Sequence, residues 1–282
     1  MNIKPVLRVF VFSLTFLMVL PKAGAQTKDQ DSLTTWELMA YDGKSVFGGF
    51  KHAYSRPLQW GKDDFLTAGA IVLGTGILYT FDENSSPWFR DQEEHVPGLI
   101  KDAGYYFGKP LYNYGLSGGI YALGLFTKNE KIRKTGVLLV SSGVTVGLLQ
   151  TLSKTIVGRA RPIANEGKGS FEPFSKEAVY HSFPSGHTIL SFTTAYAIGK
   201  QFNDPWVKGG IYALGLVSPV SRLWSGAHWL TDVALSVAMS VVVVDSIDKY
   251  LNRERYPNQF SKDKINWSLH MGPGSVGLRG SF

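Results

Sequence analysis

The sequence predicts an all-α fold, a compact bundle of about six core helices preceded by an irregular N-terminal arm and followed by a short β tail. Three observations lead there. Apolar runs rich in Gly, Ala, Ser and Thr recur at helical length over residues 65–81, 111–126 and 135–152, and read as closely packed, largely buried helices. Further apolar stretches follow over residues 188–199, 207–217 and 230–250, separated by polar loops. Hydrophobic residues make up 44% of a 282-residue chain, enough for one large domain with a buried core.

Each segment has its own reason. Lys4 and Arg8, an apolar run over 9–20 and Ala23-Gly24-Ala25 before Gln26 predict a cleavable secretory signal, 1–25. Its twelve apolar residues fall short of the roughly 20 that a spanning helix needs. Residues 26–64 are polar, dotted with aromatics and punctuated by Gly43, Gly48, Gly49, Pro57 and Gly61, so they read as an irregular arm laid over the core. The helical domain is expected over 65–252. Within it, residues 82–110 read as a wet, aromatic segment, in which Asp91, Glu93, Glu94 and His95 make a solvated helix start rather than a metal site. In the tail, 253–282, Trp267, Leu269 and Met271 alternate, as do Val276 and Leu278, predicting a short strand pair around Gly272-Pro273-Gly274.

Composition excludes several chemistries. There is no Cys, hence no disulfide, thiolate metal site, Cys nucleophile or lipoprotein attachment. The formal charge of +7 falls to +4 without the basic leader, which favours anionic partners only weakly, and nucleic acid is not an expected partner.

Three clusters carry chemistry. In the first, KTIVGRARP, Lys154 and Arg161 are seven residues apart and project from one face if the helix persists that far, although Pro162 disfavours helix at Arg161. Alone, this is a cationic helix end. In the second, Pro184-Ser185-Gly186-His187 opens an apolar helix, where N-terminal N–H groups bind anions, Gly186 admits close approach, Ser185 offers a hydroxyl and His187 a proton. In the third, SRLWSGAHWLTD, His228 and Asp232 are four apart, so on a helix the carboxylate lies one turn beyond the imidazole and orients it. Arg222, six residues before His228, offers a fork of donors for phosphate.

In this order and spacing, KxxxxxxRP, PSGH and SRxxxxxHxxxD resemble the signature of the type 2 phosphatidic acid phosphatase and vanadium haloperoxidase superfamily, over residues 154–232. The resemblance implies a metal-independent phosphatase. His228 would attack phosphorus to form a phosphohistidine, Asp232 would hold its ring, and His187 would protonate the leaving oxygen and later activate water. Lys154, Arg161 and Arg222, with Ser185 and the Gly186 N–H, would hold the phosphate oxygens. No cofactor is implied, and vanadate is expected as an inhibitor. His181 is a secondary candidate.

Two other functions fit the motifs: a haloperoxidase with vanadate as cofactor, and a non-catalytic phosphate- or lipid-binding protein. For the phosphatase, a lipid phosphate or pyrophosphate such as phosphatidate, a polyprenyl diphosphate or lipid A is the expected substrate at a membrane, and a soluble phosphomonoester that of a periplasmic acid phosphatase. Placement is open between an exported bundle at the periplasmic membrane surface and an inner-membrane enzyme. Runs of about 11 to 18 apolar residues and a mean hydropathy of −0.02 lean to the former.

Overall fold

The computed structural model describes residues 33–256, together with the backbone of 266–272 and 275–281. The expected signal segment lies outside the described residues. Eight α-helices are described: α1 Thr35–Ser55, α2 Lys62–Gln92, α3 Gly98–Phe107, α4 Pro110–Phe126, α5 Glu130–Val157, α6 Gly186–Gly199, α7 Pro205–Trp224 and α8 Leu230–Tyr250. The last is followed by a π-helical turn, Leu251–Arg255. The expected tail hairpin is present as antiparallel β1 Asn266–Gly272 and β2 Ser275–Ser281, with Leu269 opposite Leu278.

The core forms where α5 and α6 meet α4, α7 and α8, around Ile120, Leu138, Val146, Ile189, Ile198, Val244 and Ile247. These helices are rich in Ser and Thr, and several of the buried hydroxyls bond to the backbone of their own helix. Ser117 Oγ donates to the Asn113 carbonyl, Thr145 Oγ1 to Ser141 and Ser240 Oγ to Ser236, each at 2.8–2.9 Å. Bonding four residues back lets helices pack closely without orphaned donors.

Three expectations need correction. The arm over 26–64 is not irregular: α1 spans most of its described part, and Thr34 and Glu37 form a capping box at its start. Its glycines serve proximity rather than turning. A Cβ on Gly49 would lie 2.7 Å from Ser141 Oγ and 3.0 Å from Ile247 Cγ2, so Gly49 admits α5 and α8. Within 82–110, the helix start expected over 91–95 is instead a helix end: α2 runs on through Pro87 to Gln92, and α3 starts at Gly98.

Nor is the apolar run 65–81 buried. Val72, Leu73 and Ile77 are each more than 60% exposed on α2. The helices also outrun the apolar stretches that mark them, since polar residues continue the helix at both ends. As a result, Lys62–His95, Glu130–Val157 and Leu230–Arg255 are long and apolar enough to cross a membrane.

Candidate active site

The three sequence clusters converge at one end of the bundle. Lys154 is on the last turn of α5, whose helix stops at Gly158, φ +59°. Only Gly fits there, because a Cβ would lie 1.9 Å from the Glu172 carbonyl oxygen as well as demanding a left-handed backbone. The helix therefore does not persist to Arg161, as a shared helical face would require. Arg161 is extended, φ −79° and ψ 154°, and its N–H donates to the Val179 carbonyl at 2.9 Å. A reversal of the chain, rather than two helical turns, places both cations beside the histidines.

Ser185 caps α6. Its Oγ accepts from the Thr188 N–H and from Thr188 Oγ1 at 2.9 Å, while its own N–H donates to Ser236 Oγ. Having accepted twice, the Ser185 hydroxyl still carries its proton. The N–H groups of Gly186 and His187 are the first of the helix and have no acceptor within it. His187 Nε2 is buried with no partner, and so is Arg161 Nε. Burial, followed by the fields of Arg222, Lys109, Lys154 and Arg161, lowers the His187 pKa to about 4.

His228 is not on a helix with Asp232. It precedes Trp229, the N-cap of α8, and its Nδ1 lies 2.6 Å from the Ser182 carbonyl oxygen. A carbonyl only accepts, so Nδ1 carries the proton and Nε2 keeps a lone pair. Burial and the charges of Lys154 and Arg161 push the His228 pKa well below the usual imidazole range, so the ring is neutral at pH 7.

Asp232 does not touch this imidazole, contrary to the expected orienting bond. Its Oδ2 accepts from Ser182 Oγ at 2.5 Å and from the Trp229 N–H at 2.9 Å, and its Oδ1 accepts from Arg159 at 2.7 Å. Three residues into α8, it closes the helix start and fixes the residue whose carbonyl holds His228. Its hold on the ring is indirect.

Several site residues carry no signal in the sequence. Arg159, between the two motif cations, is buried and bridges Asp232 to Asp82, 2.7 Å from each. Asp82 also accepts from the Thr231 N–H at 3.0 Å and from Thr231 Oγ1. Although it opens the segment that reads as wet, Asp82 is fully buried and fastens the middle of α2 to the start of α8. Tyr105 stacks on His187 with centroids 5.4 Å apart, and the Arg222 guanidinium lies 5.1 Å from the same ring. His181 turns its imidazole toward the Ser175 carbonyl, and offers the site only a backbone oxygen, 2.7 Å from Lys154 Nζ. Among the described residues, no group of three or more His, Asp or Glu is placed to hold a metal ion.

Comparison with known proteins agrees with this geometry. The family model described as PAP2 superfamily matches residues 135–253. A lipid A 1-phosphatase of Rhizobium johnstonii is 36% identical over 196 residues, covering 64% of this chain and 77% of that protein. One from Rhizobium etli is 29% identical over 204 residues, 64% of this chain and 81% of its own. One from Porphyromonas gingivalis is 29% identical over 121 residues, 42% of this chain and 25% of that protein. No solved structure matches the chain.

Proposed function

This chain belongs to the PAP2 superfamily, and from that premise we propose that it removes the terminal phosphate from a lipid or lipid-linked headgroup through a phosphohistidine on His228. One observation carries the reading. Lys154, Arg161 and Arg222 surround two neutral imidazoles, and Arg161 Nε and His187 Nε2 are buried without partners. Asp232, the carboxylate that acts on Lys154 and Arg161, is already committed to Arg159. Buried cations without counter-charge are costly, and a bound phosphate would relieve that cost.

The steps follow from the tautomer. His228 Nε2 directs its lone pair at phosphorus, and the bond from phosphorus to the leaving oxygen breaks. The cations and the free N–H groups of α6 take up the charge on the equatorial oxygens. Burial and then the surrounding cations lower His187; the incoming phosphate opposes the second of these and hydrogen-bonds the charged ring, so that His187 gains a proton on binding and gives it to the leaving oxygen. Water then attacks phosphorus and yields its proton to His187, and the N–P bond breaks. These residues supply the charge that a metal ion provides in other phosphoryl-transfer sites.

A lipid substrate is supported by where the site lies along the long helices. Asp82 follows directly on the exposed apolar stretch of α2, Lys154 on that of α5, and Asp232 precedes that of α8. The cradle therefore lies level with the limits of the apolar stretches of α2, α5 and α8, although α2 itself runs on beyond it, and that level suits a headgroup whose chains lie alongside those stretches. The relatives' names, lipid A 1-phosphatase, point to the same substrate class. Phosphate release from lipid A, phosphatidate and a polyprenyl diphosphate, by wild type and His228→Ala in detergent, tests this. Activity on at least one lipid, lost in the variant, is expected; equal rates would refute it.

A further inference from the structure

The end of α3 builds a wall against His187 that the phosphate cradle does not use. Gly108 lies so close to the imidazole that a Cβ there would stand 2.6 Å from His187 Cβ and 2.7 Å from Cδ2. One turn earlier, the Tyr105 ring stacks on the same imidazole at an interplanar angle of 25°. Lys109 folds back over this wall, with Nζ 4.3 Å from the Tyr105 centroid and 5.1 Å from that of Tyr106. A single ring thus has His187, Arg222 and Lys109 around it. No carboxylate among the described residues pairs with Lys109. Its contact with tyrosine faces orients the ammonium without neutralising it.

In the reaction above, His187 serves the leaving oxygen, and Lys109 is a cation close to that imidazole, sharing the Tyr105 ring with it. We propose that Lys109 forms a second anion subsite for a leaving group that is itself a phosphate, making lipid diphosphates preferred over phosphate monoesters. The inference rests on His228 being the nucleophile. His228 Nε2 bonds to the terminal phosphorus, the bond from that phosphorus to the bridging oxygen breaks, and its electron pair stays on the departing lipid monophosphate. His187 gives its proton to that oxygen as before, and the Lys109 ammonium meets the negative charge the departing phosphate still carries on its other oxygens. Tyr105 is a positioning residue that holds Lys109 and His187 in one frame.

The test compares farnesyl diphosphate with dioleoyl phosphatidate, in micelles, for the wild-type chain and for Lys109→Met, Lys109→Arg and His228→Ala. Wild type should favour the diphosphate. Lys109→Met should lower kcat/KM for it roughly 10- to 100-fold, the worth of one charge-assisted hydrogen bond, and change the monoester less than about 3-fold. Lys109→Arg should restore most of the loss. Equal losses on both lipids, no loss on either, or a wild-type preference for the monoester would overturn the subsite. Wild-type rates in His228→Ala would instead overturn the nucleophile, and the subsite with it.

Discussion

Arg159 offers the sharpest test of how this site is held together. The Arg159→Met variant leaves two fully buried carboxylates, Asp82 and Asp232, without the guanidinium that lies 2.7 Å from each. Breaking a buried pair by removing one partner costs about 3–5 kcal/mol, because the orphaned charge stays buried. For a helical unit of this size, each kcal/mol lowers Tm by roughly 2–4 °C, so the expected drop is on the order of 10 °C. A second substitution sharpens the sign. Asp82→Asn should destabilise the wild type, where it removes a partner of Arg159, but stabilise Arg159→Met, where it removes an uncompensated charge. Thermal unfolding in detergent, followed by tryptophan fluorescence, gives all four corners of the cycle. Additive effects, or an Arg159→Met protein within about 1 kcal/mol of wild type, would refute the reasoning.

Other outcomes follow from the same contacts. Gly108→Ala places a methyl against the His187 ring and Gly186→Ala one against the Gln150 side chain, which can move; kcat should fall at least ~10-fold for the first and clearly less for the second, by steady-state phosphate release. His187 titrates at about 4 when folded against about 6.5 unfolded, so between these values the unfolded chain holds more protons. Its share of stability is complete above pH 6.5 and lost as pH falls towards 4, and Tm against pH should be flatter there for His187→Gln than for wild type. Vanadate should inhibit competitively, and EDTA should leave turnover unchanged; activity lost to EDTA and restored by a divalent ion would overturn the metal-free reaction.

Much of the site was legible in the sequence because the motif residues are chemically distinctive and each cluster adjoins an apolar helix. Lys154, Arg161, His187 and His228 come together at one end of the bundle. The spacing misled on how they meet. Seven residues suggested two helical turns where Gly158 in fact reverses the chain, and four suggested a His–Asp bond where the helix begins only after His228. Arg159, Asp82 and Tyr105 were not legible, because their roles arise from pairing across 77 and 82 residues of chain, which no local pattern encodes. The glycines of α1 were read as breaks, though Gly49 is small for the sake of its neighbours, a distinction set by packing rather than by propensity. The apolar run of α2 reads as core in the sequence, because hydrophobicity alone does not tell a buried helix from one long and apolar enough to cross a membrane.

The central claim is the covalent bond to His228, and rapid quench with a lipid substrate labelled with ³²P on its terminal phosphate tests it most directly. Label should appear on the protein within a turnover, stable in alkali and released by acid as expected of a phosphohistidine, mapping to the peptide that contains His228 and absent from His228→Ala. An active wild-type enzyme that never carries the label, or carries it unchanged in His228→Ala, would contradict it.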